Sequence, residues 1–118
     1  MKRAILLVDH GSRREEANAQ LEALAERVPE RIVRAAHMEI AAPDIAAGID
    51  ACVAAGADEI AVVPCFLWPG AHIQEDVPRL VREAAARHPG LRVRVGEPLG
   101  LHPKLVDVVL ERAGEAED

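Results

Sequence analysis

Aromatic residues are nearly missing from this 118-residue chain: it has one Trp, one Phe and no Tyr. Flavin or nucleotide sites that stack a base on an aromatic face are therefore poorly served. Half the residues are hydrophobic, so the core must be built from Ala, Val, Leu and Ile. Cysteine is almost as scarce, with only Cys52 and Cys65. Two cysteines at that spacing form neither a disulfide framework nor a structural zinc motif. No apolar run is long enough to cross a bilayer, and no signal-peptide pattern opens the sequence. These absences predict a cytoplasmic protein with free thiols and no membrane partner. Basic charge is in deficit too. Fourteen Lys and Arg face twenty Asp and Glu, for a net charge of −6. Nucleic-acid binding needs a basic footprint, so that class is set aside.

What is present is a repeating alternation of strand and helix. Arg3–Val8 is an almost continuous apolar run, as a strand buried on both faces requires. Ser12-Arg13-Arg14-Glu15 fits a capping box, with Ser12 as N-cap of a helix that Pro29 ends. Ile32–Ile40 reads as a second strand whose Arg34 and His37 suit a sheet edge. Asp44 opens a second helix with Ile45, Ile49, Cys52 and Val53 inward and Gly56 at its C-terminal cap. Glu59–Pro64 holds a third, fully apolar and central strand. A loop longer than the usual βα connection follows, and Asp76 is expected to cap the third helix. Leu91–Val95 alternates with period two, as an edge strand does. Pro103 begins a fourth helix, predicted to turn Leu105, Val106, Val109 and Leu110 inward.

Four βα units imply one α/β domain over residues 1–118, with helices on both faces of a four-stranded parallel sheet and a frayed acidic tail at 114–118. Right-handed crossovers and the flavodoxin-like order place strand one between strands two and three. The carboxyl ends of parallel strands share one edge. His10 follows strand one, Glu39 ends strand two, and His72 closes the loop after strand three. Adjacent strands lie about 4.8 Å apart, so the three side chains are expected to converge. Two imidazoles and a carboxylate suit Fe²⁺, Co²⁺ or Ni²⁺ better than Mg²⁺. Imidazole also accepts protons near neutral pH.

Asp9-His10-Gly11-Ser12, Met38-Glu39-Ile40-Ala41-Ala42-Pro43 and the run Val63–Pro78, with Phe66-Leu67-Trp68-Pro69-Gly70-Ala71-His72, carry a further signal. Together with Pro98-Leu99-Gly100-Leu101-His102-Pro103 they resemble the short-form class II chelatases that act on sirohydrochlorin. The resemblance covers nearly the whole chain. It implies a chelatase-like fold and ATP-independent insertion of Co²⁺, Fe²⁺ or Ni²⁺ into a tetrapyrrole, for cobalamin or sirohaem. No cofactor is implied beyond that metal substrate. His10 and His72 would bind the metal and take pyrrole protons, with Glu39 as ligand or relay. The partner would be a second copy, in a homodimer with the macrocycle in a cleft. Two positions depart from the family: Ala71 is often basic in relatives, and Cys65 stands where an aromatic is common.

For substrate contact we single out Ser12, Arg13, Phe66, Leu67, Trp68 and Gly70. Arg13, Arg14, Arg79 and Lys104 are the cations placed to attract substrate carboxylates. The plain alternatives are that Ser12 only caps a helix, that Phe66 to Trp68 pack the core, and that each cation is a solvated charge. His37 and His88 read as structural, and His102 as a loop residue at the cleft edge. Phosphohistidine chemistry is disfavoured because Asp9 would repel phosphate where an arginine is needed. A non-enzymatic metal carrier or sensor using the same residues is the rival reading.

Overall fold

The computed structural model describes residues 2–116. Its elements are β1 (Arg3–Asp9), α1 (Glu15–Arg27), β2 (Val33–His37), α2 (Ile45–Ala54), β3 (Glu59–Pro64), α3 (Ala71–Ala85), β4 (Arg92–Val95) and α4 (Pro103–Glu115). The four strands are all parallel, in the order β2-β1-β3-β4. The expected α/β architecture, with strand one between strands two and three, is thus the one observed. No helix among the described residues is long and apolar enough to cross a membrane.

Side-chain alternation sends the two faces of the sheet to different helices. Ala4, Leu6, Val8, Ile60 and Val62 pack with Ile45, Ile49 and Cys52 of α2 and Val77, Val81 and Ala84 of α3. On the other face, Leu7 packs with Leu21 and Ala25 of α1, flanked by Ile5, Val33, Ala35, Val63 and Cys65. The centre of α2 lies so close to the sheet that a Cβ on Gly48 would sit 2.8 Å from the Ala36 Cβ and 2.9 Å from Leu6 Cδ1. Asp44 caps α2 as expected, accepting from the Ala47 N–H at 2.8 Å.

Four expectations need correction. Ser12 is not the N-cap of α1. That position is Arg14, without a side-chain cap, and Ser12 Oγ instead accepts from the Arg14 N–H at 3.0 Å. The capping-box partner, Glu15, is replaced by Asn18. Its Oδ1 accepts from the Ser12 N–H and its amide donates to the Ser12 carbonyl, at 2.9 and 2.8 Å. Second, the strand expected over Ile32–Ile40 stops at His37, because the chain turns at Ile40 with φ +74°. Third, α3 starts at Ala71 behind Gly70, well before Asp76, so Pro78 lies inside the helix. The α3 N-terminus therefore takes in His72, which had been expected at the end of a loop.

The fourth correction concerns α4. Leu105, Val106, Val109 and Leu110 do not turn into the core, and no residue of α4 is buried. The described chain measures 55 × 29 × 26 Å, the long axis reflecting this outlying helix. Its radius of gyration is 15.1 Å, against about 13.5 Å for a compact domain of this length. Of the tail expected to fray at 114–118, Gly114 and Glu115 are helical and Ala116 is the C-cap. Glu117 and Asp118 lie outside the described residues.

Candidate metal site

The β1–α1 turn and the segment after β2 are tied together by backbone. The ladder between β1 and β2 continues past the strands: the Met38 N–H donates to the Asp9 carbonyl at 2.8 Å, and the Glu39 N–H to the His10 carbonyl at 3.0 Å. Beneath them the buried His37 ring bonds Asp9 through Nδ1, 2.5 Å from Oδ1. A carboxylate only accepts, so Nδ1 carries the hydrogen. His37 Nε2 is left buried and without a hydrogen-bond partner among the described residues. Gly11 closes the approach. Its φ is +94°, and a Cβ there would fall 2.0 Å from the Glu39 carbonyl oxygen. That same carbonyl accepts from the Ala41 N–H at 2.8 Å across Ile40. The result is a three-residue turn with positive φ, a strained conformation for a β-branched residue.

This scaffold brings His10 Nε2 to 3.0 Å from Glu39 Oε1, with both side chains about half exposed. The other ring nitrogen, Nδ1, is 3.2 Å from the Gly11 carbonyl. Both nitrogens of one imidazole thus face acceptors. The 3.0 Å separation is that of an ordinary hydrogen bond, and it is also compatible with two ligands of one ion. Two ligands bound at about 2.1 Å and at right angles on one ion stand about 3.0 Å apart.

His72 is not part of this contact. It is the exposed second residue of α3. Among the described residues no three His, Cys, Asp or Glu side chains are grouped closely enough to hold a metal ion. The predicted convergence of His10, Glu39 and His72 is therefore realised as a pair. The early start of α3 is the reason, since it fixes His72 to the helix end.

The surrounding candidates divide. Phe66 packs against the α2–α3 core. With Pro64, Pro69, Ile73, Val77 and Pro98 it lines an apolar cavity of about 420 Å³. Leu67 and Trp68 point outward, Trp68 at 72% exposure. Gly70 is the α3 N-cap, with open space where a Cβ would be. Of the four proposed cations, Arg14 is occupied by Glu16, and Arg79 by Asp76 and Glu83. Asp76 first, then Glu83, push the Arg79 pKa up. Arg13 and Lys104 keep their side-chain charges outside any described ion pair. His102 Nδ1 caps α4, accepting from the Lys104 N–H at 3.1 Å. His88 bonds Asp50 of α2 at 2.7 Å, and Arg87 pairs with the same carboxylate.

Cys65 shares a small cavity with Asp9, His10 and Phe66. Burial first, and the Asp9 carboxylate second, raise its thiol pKa to about 11. It therefore stays protonated, its Sγ–H directed at the Val63 carbonyl 3.6 Å away. A neutral thiol is a poor metal ligand. The structure adds one residue that the sequence did not single out, Asn18, and gives His37 the structural role expected of it, with Asp9 as its partner. Asn18 fixes the Ser12 turn, and His37 and Asp9 fix the strand ends. Their signal was a polar pair at matching positions of β1 and β2, register partners in the sheet.

The CbiX family profile matches residues 4–116. The chain belongs to the CbiX family. A chloroplastic sirohydrochlorin ferrochelatase of Arabidopsis thaliana is 43% identical over 112 residues, covering 92% of this chain and 50% of that protein. A sirohydrochlorin cobaltochelatase of Methanococcoides burtonii is 32% identical over 126 residues, covering 97% of this chain and 96% of that protein. Among solved structures, the sirohydrochlorin chelatase SirB of Bacillus subtilis subspecies spizizenii, in complex with cobalt, is 38% identical with a TM-score of 0.85. That match covers 98% of this chain and 51% of SirB. The chain thus spans about half the length of the Arabidopsis and Bacillus relatives and nearly all of the Methanococcoides one.

Proposed function

We propose that this CbiX chain inserts a divalent metal, Co²⁺, Fe²⁺ or Ni²⁺, into sirohydrochlorin without ATP. The observation that carries the reading is the His10–Glu39 pair, whose 3.0 Å separation suits two neighbouring ligands of one ion. Relatives named for ferro- and cobaltochelation support the substrate class. Imidazole and carboxylate ligands do not choose among the three metals, so cellular supply decides.

His10 and Glu39 hold the arriving ion with two donors and leave it otherwise open. His72, at the α3 N-terminus on the same sheet edge, is the third group we assign. As the ion passes from its protein ligands to the four ring nitrogens, two pyrrole N–H bonds break and two protons leave. One goes to an imidazole that the ion has vacated, His10 or His72, and Glu39 is the acceptor we assign for the other. Its carboxylate is half exposed and can pass the proton to water. No bond needs ATP, because ligand exchange and proton loss drive the step.

The macrocycle is placed over Leu67 and Trp68, beside the Phe66 cavity. Arg13, with Ser12 next to it, is the site cation for substrate carboxylates. The working unit is a homodimer, and the two free cysteines, Cys52 and Cys65, suit a reducing compartment such as the cytoplasm. The rival, a metal carrier or sensor, would use the same pair and need no macrocycle surface. The test is to follow the visible absorption of sirohydrochlorin with each metal. Metal insertion should exceed the spontaneous rate, and His10→Ala or His72→Ala should abolish the gain without unfolding the chain. If the protein gives no acceleration with any of the three metals yet binds Co²⁺, it is the carrier.

A further inference from the structure

The apolar cavity between α3 and the ends of β3 and β4 holds none of the metal-binding side chains. Its volume is about 420 Å³, within the range of small-molecule sites and enough for one edge of a tetrapyrrole rather than the whole ring. Its position suits such an edge. Phe66 belongs to this wall and also to the small cavity that holds Asp9 and His10. One side chain thus separates the two spaces, and a macrocycle centred on His10 extends past Phe66 toward the larger one. Leu67 and Trp68, next in sequence, are the exposed residues assigned to the ring face.

The chemistry of the wall turns anions away. Pro64, Pro69, Pro78 and Pro98 belong to it, and proline has no N–H to offer. Ile73, Val77 and Val95 add only apolar side chains. The Gln74 amide is the one side-chain donor in the wall, and it is engaged with the Pro69 carbonyl at 3.4 Å. The Gly96 N–H is spent on the Val62 carbonyl at 2.8 Å. Pro78, inside α3, has no N–H for the Gln74 carbonyl, so that acceptor lacks its helical donor. Among the described residues the one ionisable side chain in the wall is Glu97, exposed and negative. A carboxylate entering here would lose its water, meet no cation and face another carboxylate. A methyl group entering here would only be stabilised.

We infer that this cavity receives a methyl-bearing edge of sirohydrochlorin and so selects methylated, reduced macrocycles over unmethylated ones. The inference rests on the chelatase reading above and names what that site discriminates. Every ring of sirohydrochlorin carries carboxylate side chains, and its reduced rings also carry a methyl group. The methylated carbon is tetrahedral, so the methyl and the acetate on it leave opposite faces of the ring. The methyl can enter the cavity while the acetate stays in water. In uroporphyrin, which lacks these methyls, the same carbon is trigonal. Its acetate leaves in the ring plane, and at this edge it meets Glu97 with no methyl to bury in return.

The test reads binding through quenching of Trp68, the single tryptophan of the chain, with sirohydrochlorin and uroporphyrin III as probes. The unmodified chain should bind sirohydrochlorin at least tenfold more tightly. One buried methyl supplies about fourfold, and repulsion of the acetate by Glu97 supplies the rest. Val95→Phe narrows the cavity and should weaken sirohydrochlorin to the level of uroporphyrin. Glu97→Gln, at an exposed position, should tighten uroporphyrin several-fold and leave sirohydrochlorin unchanged. Co²⁺ affinity of the His10–Glu39 pair, by calorimetry, should be the same in all these chains. Equal affinity for the two macrocycles in the unmodified chain overturns the inference, as does a preference that survives Val95→Phe. Should Val95→Phe also lose Co²⁺, Glu97→Gln decides alone, and an unchanged uroporphyrin affinity overturns the inference. Equal affinities with metal insertion intact strike the role of the cavity and leave the chelatase reading. A methyl preference without insertion refutes chelation and leaves the cavity its role, and no quenching by either macrocycle refutes both.

Discussion

At the residue scale, the site is governed by how closely two backbone segments can approach. Gly11 is the position with least freedom. An alanine there would combine a positive φ with a contact of 2.0 Å to the Glu39 carbonyl. We expect Gly11→Ala to push Glu39 off His10. Co²⁺ affinity, read by titration calorimetry, should fall at least tenfold. A left-handed non-glycine residue adds about 1 kcal/mol of strain before the clash is counted. Arg13→Ala should act differently, raising KM for sirohydrochlorin several-fold with little change in kcat, since it touches substrate carboxylates and not the reacting centre. An unchanged KM would return Arg13 to the class of solvated charges. The meeting of His10 and Glu39 was legible in the sequence, because the carboxyl ends of adjacent parallel strands share one edge. Asn18 was not. A mid-helix asparagine reads as a weak helix former, and only the fold shows it bonding Ser12 from both ends of its amide.

At the element scale, strand order and the faces of α1, α2 and α3 followed from apolar periodicity. The errors all fall at helix termini or at unpartnered elements. Asp76 looked like a better cap than Gly70, because side-chain chemistry is visible in sequence and open backbone space is not. The same limit hid His72 at a helix end and so promised a three-residue site. Packing of α2 can be tested through Gly48. Replacement by alanine raises helix propensity by about 1 kcal/mol. Against that, the new methyl meets Ala36 Cβ at 2.8 Å, and overpacking of this kind costs about 1–3 kcal/mol. Net destabilisation is expected, measured as a lower urea midpoint. A second test concerns the clasp between α2 and the end of α3. His88 first, then Arg87, hold the Asp50 carboxyl below its ordinary range. A carboxylate with a depressed folded pKa stabilises above its unfolded value, about 3.9, and loses that contribution as pH falls through the folded one. Asp50→Asn should therefore lower the melting temperature at pH 7, and the difference from the unmodified chain should vanish as pH falls through the folded carboxyl's range. A difference persisting in acid would show that packing, not charge, is responsible.

At the scale of the whole molecule, the net charge of −6 works against an anionic substrate. Screening should help. The Debye length shrinks from about 30 Å at 0.01 M salt to about 8 Å at 0.15 M, so KM for sirohydrochlorin should fall over that range. A rise would mean that the local cation at Arg13 outweighs the overall field. Composition had indicated this balance, and it had also indicated an apolar surplus for so small a chain. It could not locate that surplus, because a stripe on α4 reads the same whether it faces its own core or someone else's. The placement of α4 also dictates an order of events in time. Since no residue of that helix is buried in its own chain, the sheet and its three packed helices can form first, in a refolding phase whose rate does not change with protein concentration. Any association through α4 comes afterwards and quickens as concentration rises, so stopped-flow refolding at several concentrations should separate the two phases. The protein would then become a finished fold before it becomes a finished assembly.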